Sequence, residues 1–441
     1  MEPKTQVEIW LDFAIQQLAA ESYLEGIDLG FEDDVTERLQ RGVNHPDYDS
    51  ENEKEHATRM TSSQAGKFLK ENEIIHHLPN RSSGFSGTLL KNKQSGEYTL
   101  SMRSTEFRPA DKGGDRERDA ISGADGDISF RGFSLAQLAS MEDYYQFLIE
   151  NTDLTAATKL NLTSYSLSGH LATIFTEIRP NIVIKSYNFN AVGRGDFNGN
   201  VGTLKNMIDD YRDLLLNPDD NEVDDPGFGH DRTLYQAWWH ANEEAISNLP
   251  SDIADVDSTI NLTEKEGDLP DIQYTARHGF AEAAIFSKYN TSWILTGEEL
   301  DKTISTKIDQ VYGHAAHNDS EIVANTGVTS LNEYPILIED QANVDGLTAG
   351  FFGIKGGFGE THSIILIIDS LSLSSVMQKI DPSISRNLSE SIMIQSSAAV
   401  ANGKLIGQGV SEFDTLDNVV NALGNIFLGE GFTKLLPKQE S

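Results

Sequence analysis

Residues 161–172 read NLTSYSLSGHLA. The apolar stretch 160–165 has strand character, and 167–178 has the spacing of a helix. No loop separates them, so the chain must reverse its conformation within one or two residues around Ser166. Such a junction sets its central side chain on a tight turn at the carboxyl end of a strand, with a helix N-terminus directly behind it. The helix amides and dipole favour negative charge at that point. A serine so placed has its hydroxyl presented for nucleophilic attack, although the same residues also fit a serine-rich turn with no chemistry.

On either side of this junction the chain alternates strands and helices. Residues 97–103 (EYTLSMR) read as a strand and 108–132, rich in Gly, Asp and Arg, as a long loop. Ser134 stands where it would cap a helix over 135–151, whose Leu135, Leu138, Met141, Tyr145 and Leu148 share one face. After 160–178, a strand over 181–190 ends in the Gly-rich turn Gly193 to Gly202, and a helix follows over 201–216. A strand returns near 307–312, and the apolar run SIILIID predicts another at 363–369. Residues 6–25 form an opening amphipathic helix with Trp10, Phe13, Ala14, Leu18 and Tyr23 near helical spacing, and 413–434 reads as a C-terminal docking helix. Residues 41–60 read as a polar surface loop. This alternation predicts an α/β fold, a mainly parallel sheet flanked by helices.

Composition narrows the partners. Lys and Arg total 34 against 69 Asp and Glu, a net charge of −35. That surface repels nucleic-acid phosphates and anionic membranes at long range. Any lipid contact must therefore come from local apolar patches. No apolar run reaches the length of a membrane span, and residues 6–25 carry too many acids for a signal peptide. The chain has no cysteine, so it has no disulfide. The acidic loop NPDDNEVDDPG (217–227) lacks EF-hand spacing and reads as solvated, as does Asp125-Gly126-Asp127. Structural calcium stays compatible with the composition. Gly193-x-Gly195 is too short for a nucleotide-binding loop.

Thr163 to Ala172 resembles the T-G-H-S-L-G-G-H-L-A segment of α/β-hydrolase lipases. The resemblance is to class 3-type lipases and phospholipases, especially bacterial secreted forms often joined to calcium-binding repeats. It implies one catalytic α/β-hydrolase domain over 1–441, a secreted protein, and a lipid or ester substrate. It departs from the motif G-x-S-x-G in having Ser164 and Ser168 where the family has glycine. Residues 98–107 (YTLSMRSTEF) resemble the strand that supplies an oxyanion donor, with Ser104 again replacing glycine. By that likeness Thr105 and Leu167 would hold the oxyanion through their backbone N–H groups.

The resemblance also supplies partners for Ser166. His362, in Gly359-Glu360-Thr361-His362-Ser363 before the apolar run, matches a family T-H-S segment and would be the general base. His170, four residues after Ser166 on the helix, reads as packed beside the turn, while His76, His77, His314 and His317 sit in polar surroundings. Asp319, following a strand that ends near Tyr312, would orient the base, with Asp340 as its rival. Residues 196–300 do not align and form an insertion; Tyr235, Trp238 and Trp239 within it fit a lid or a core-packing helix equally. The implied activity is serine ester hydrolysis of lipase or phospholipase A type, which needs no redox cofactor or catalytic metal. A polyester or small-ester hydrolase, or a non-catalytic interaction protein on a decayed hydrolase fold, would share these features. Nothing in the sequence fixes the oligomeric state.

Overall fold

The structure is a computed structural model that describes residues 3–44, 58–81, 83–106, 114, 116–119, 123–131, 133–179, 181–189, 201–216, 259–265, 330–335, 364–385 and 388. The chain divides into two compact units. The larger comprises 15–262 and 306–332, and the smaller 1–14, 263–305 and 333–441.

The strands of the sheet lie in chain order, and the first five fall wholly within the larger unit. Strands β1 (Asn72–Leu78), β2 (Gly87–Asn92) and β3 (Tyr98–Met102) form an antiparallel meander. The β2–β3 turn is written in its side chains: Asn92 Oδ1 accepts from the backbone N–H of Gln94 and Ser95, and Gly96 takes φ 75°. From β3 onward the pairing is parallel, through β4 (Leu160–Tyr165), β5 (Val183–Phe189) and β6 (Thr259–Lys265). A further strand, β7 (Ser330–Pro335), completes the order. The sheet is thus mixed, with its parallel half where the sequence alternates strand and helix.

Parallel neighbours need a crossover, and helices supply each one. Helix α6 (Leu135–Asn151) joins β3 to β4, α7 (Ser168–Ile178) joins β4 to β5, and α8 (Val201–Leu216) follows β5. The face predicted for α6 is the one that is buried, from Leu135 to Leu148. It meets Leu100, Leu160, Leu162, Leu171, Phe175 and Ile208 in one core. Each fully buried side chain of this size contributes roughly 1.5–3 kcal/mol. The three helices are also tied by charge. Glu142 on α6, almost wholly buried, accepts from both terminal nitrogens of Arg179, and Lys205 on α8 stands 3.6 Å away. The Arg179 guanidinium lies 4.5 Å from the Tyr145 ring and 4.6 Å from that of Phe175.

Three expectations change. Residues 108–132 are not one loop, because α4 (Arg116–Asp119) and α5 (Ala124–Arg131) lie within them. Ser134 precedes α6 but makes no side-chain cap. Its backbone N–H donates instead to His170 Nε2 at 3.3 Å, and its hydroxyl is buried with no hydrogen-bond partner among the described residues. Within the run 363–369, the described residues 364–369 are not a strand. They open α9 (Ile364–Ile380) in the smaller unit. An unbroken apolar run looks alike in a buried strand and a buried helix. The burial of Ile364, Ile367, Ile368, Leu371, Ser374 and Ser375 follows the helical period, and Pro382 stands just past the end.

Helix α1 (Gln6–Ala20) is shorter than predicted. Thr5 and Glu8 cap it reciprocally: Thr5 N donates to Glu8 Oε2 at 2.9 Å and Glu8 N to Thr5 Oγ1 at 3.3 Å. Those bonds, with Lys379 of α9 at 2.9 Å, hold the Glu8 carboxyl below its usual range. Helices α2 (Glu32–Arg41) and α3 (Ser62–Glu71) precede the sheet, and α3 carries a capping box of Thr61 and Gln64.

Candidate active site

The junction read from the sequence is present. Strand β4 ends at Tyr165, α7 starts at Ser168, and Ser166 takes φ 53°. It is the one non-glycine residue with positive φ among the described residues. For serine this backbone costs of order 1–3 kcal/mol and persists only where its surroundings over-determine it. Here Ser166 N donates to Phe189 O of β5 at 3.1 Å, and Gly169 N donates to Ser166 O at 3.0 Å. His170 N donates to Leu167 O at 3.0 Å, which starts the helix immediately. Ser166 therefore leaves the carboxyl edge of the sheet on a turn held from both sides, with the amides of α7 beside it.

The two serines that replace glycine find partners rather than crowding. Ser164, fully buried, donates to Asn188 Oδ1 on β5 at 2.7 Å. Ser186 donates to the same oxygen at 2.8 Å. Ser168 accepts from Tyr165 N and donates to Tyr165 O, both at 2.9 Å. His170 is fully buried against the Ser134 amide, as expected of a residue packed beside the turn.

Thr105 leaves the same edge of the sheet on the neighbouring strand. The parallel register pairs Ser101 with Thr163, so Thr105 and Leu167 each lie four residues beyond a matched pair. The backbone after β3 is anchored at three consecutive residues by three buried acids. Ser104 donates from N and Oγ to Glu21, at 3.0 and 2.7 Å. Thr105 Oγ1 donates to Asp125 Oδ2 at 3.0 Å. Glu106 N donates to Asp119 Oδ2 at 2.8 Å, and Gln137 holds the other oxygen of Asp119. Glu21 is itself braced by Gln17, which also bonds Met102 O and Ser101 on β3.

This burial sets the protonation of the segment. Asp125 is enclosed, and loss of solvent pushes its carboxyl up to about 8 against the opposing pull of the Thr105 hydroxyl. At neutral pH it is largely the neutral acid. Burial also raises the Glu21 carboxyl, although Arg103 and Ser104 pull the other way. Asp125 thus corrects the solvated-loop reading of Asp125-Gly126-Asp127. None of these three acids was marked as part of the site by its sequence surroundings, and only their partners distinguish them from the other acids of the chain.

Asp319, Asp340 and His362 lie outside the described residues, as do Tyr235, Trp238, Trp239, the acidic loop 217–227 and the segment 413–434. The apolar residues that follow His362 and Ser363 open helix α9 from Ile364, where the sequence predicted a strand. Among the described residues no group of three or more His, Asp or Glu is arranged to hold a metal ion. No described helix is long and apolar enough to cross a membrane.

No protein-family model matches the chain, and no curated protein matches it. Among solved structures it is similar to lipase II from Rhizopus niveus, at 12% identity and TM-score 0.28, over 60% of this chain and 74% of that one. It is similar to the lipase from Rhizopus microsporus var. chinensis at 11% identity and TM-score 0.26, over 60% and 69%. For the Lip2 lipase from Yarrowia lipolytica the values are 11% and 0.28, over 61% and 75%. Superpositions this slight leave the geometry around Ser166 as the ground for a functional reading.

Proposed function

We propose that this protein hydrolyses carboxylic esters by acyl transfer to Ser166, with acyl lipids as the substrate class. The observation that carries the reading is the backbone of Ser166, held at positive φ between β4 and α7. A strained serine at a strand–helix junction is what a nucleophile elbow requires.

In this reading Ser166 Oγ attacks the ester carbonyl carbon, and His362 takes the hydroxyl proton. The Leu167 and Thr105 amides receive the carbonyl oxygen as it becomes negative. Two such donors are worth about 3–4 kcal/mol each. The proton passes from His362 to the departing alkoxide, Asp319 orients the imidazole, and water then releases the acid. The Thr105 segment, pinned by Glu21, Asp125 and Asp119, would be rigid before substrate arrives, and rigidity of that kind makes an oxyanion donor effective.

A fluorophosphonate probe tests the proposal. Stoichiometric labelling, located at Ser166 by peptide mass spectrometry and lost in Ser166→Ala, is the expected result. Intact folded protein that takes no label would instead favour a non-catalytic module. A chain-length series of nitrophenyl esters, run beside phospholipid vesicles, separates lipid from small-ester or polyester substrates.

A further inference from the structure

We propose that Ser168 is a positioning residue for Ser166, its buried hydroxyl clamping Tyr165 to the first turn of α7. The inference rests on the reading of Ser166 as nucleophile. It gives a task to the serine that stands where the G-x-S-x-G motif has its second glycine.

In a parallel ladder, successive residues direct their N–H and C=O to alternate neighbours. Ser166 N bonds β5 through Phe189 O, so the N–H and C=O of Tyr165 face the β3 side. Strand β3 no longer serves them there. Its register with β4 ends at Ser101 and Thr163. Beyond it, Arg103 N donates to Ser86 O and Ser104 N to Glu21. The Tyr165 N–H and C=O turn instead to the helix that follows. Ser168 Oγ takes both, accepting from Tyr165 N and donating to Tyr165 O at 2.9 Å each. The Ser168 residue is fully buried.

One hydroxyl thus closes a ring from the residue before Ser166 to the second residue after it. Together with the Phe189 and Gly169 bonds, it holds the turn on both flanks while Ser166 keeps its positive φ. Glycine at 168 could make neither bond. The serine is therefore read as a replacement that fixes the elbow through hydrogen bonds.

The test compares Ser168→Ala with Thr176→Ala. Thr176 lies on the same helix and donates from a buried hydroxyl to Ala172 O, so its loss matches the deletion without touching the turn. In Ser168→Ala, kcat should fall about tenfold or more, because a small displacement of a nucleophile is expensive. KM should stay within about twofold, since ground-state binding is untouched. The rate of phosphonate labelling should fall with kcat, and Thr176→Ala should keep the wild-type kcat. Wild-type kcat in Ser168→Ala, or an equal loss in Thr176→Ala, would overturn the proposal.

Amide hydrogen exchange reads the clamp apart from catalysis. The Tyr165 amide should be protected in the wild type and exchange at least about tenfold faster in Ser168→Ala. A wild-type protein with neither turnover nor labelling would sink the ester-hydrolase reading and leave this exchange result to decide the clamp. If Ser168→Ala does not fold, the wild type decides it alone: a Tyr165 amide that exchanges like an exposed loop amide overturns the proposal.

Discussion

Replacing Asp125 with asparagine removes a proton equilibrium while keeping the shape of the group. Asp125 is buried, bonded to Thr105, and raised to about 8 in the fold. In the unfolded chain an aspartate ionises near 3.9. Between those limits the folded protein keeps a proton that the unfolded chain has lost. Linkage then gives the sign: the Asp125 contribution to stability is fully present below about pH 4 and is lost as pH rises toward 8. The slope is about 1.4 kcal/mol per pH unit, hence about 3 kcal/mol between pH 5 and pH 7 and at most about 6 kcal/mol across the window. Asparagine is close in shape to the neutral acid, retains an oxygen for the Thr105 hydroxyl, and has no proton to lose. The measurement is urea unfolding of both proteins at pH 5, 6 and 7, taken as a difference so that the other ionisable groups cancel. The variant should gain on the wild type with each step upward in pH. A difference that stays constant from pH 5 to 7 would refute the reasoning, for it would mean that Asp125 ionises in the fold as freely as in the unfolded chain.

Glu142→Ala should destabilise the larger unit by about 3 kcal/mol or more, because it strands the Arg179 guanidinium over two aromatic rings without its carboxylate; urea midpoints measure this. Ser164→Ala should cost only about 0.5–1.5 kcal/mol, since Ser186 still donates to Asn188 Oδ1. The Ser164→Ala, Ser186→Ala pair should cost more than the sum, because the oxygen then loses both donors in a buried site; additive losses in a double-mutant cycle would contradict this. Asp319→Asn should lower ester turnover far more than Asp340→Asn, and the reverse ranking in a side-by-side assay would move the orienting acid to Asp340. His362→Ala combined with Ser166→Ala should be no worse than Ser166→Ala alone, as residues acting in one step are not additive.

The parts of this protein that were legible in its sequence are those whose causes are local. Residues 160–178 carry a strand, a junction and a helix with no loop between them, and the structure reproduces all three around Ser166. The α6 face was likewise readable, because helical spacing alone selects Leu135, Leu138, Met141, Tyr145 and Leu148. The run 363–369 was not, since an unbroken apolar stretch has the same appearance in two periodicities, and packing along Ile364, Ile367, Ile368 and Leu371 chose the helix. The anchors of the Thr105 segment lay further from view. Among 69 acids, Glu21, Asp119 and Asp125 look in sequence like the surface charges around them. What separates them is enclosure, which comes from residues distant along the chain: Glu21 reaches Ser104 across 83 positions and Asp125 reaches Thr105 across 20. Desolvation and a hydrogen-bond partner are properties of a place in space. The sequence alone determined that Ser166 would sit at a strand–helix junction, because the apolar run and the helical spacing meet there with no residues left over for a loop. Only the tertiary structure decided which carboxyl groups would hold the neighbouring strand end, and that one of them would keep its proton, because water had first to be excluded from around it.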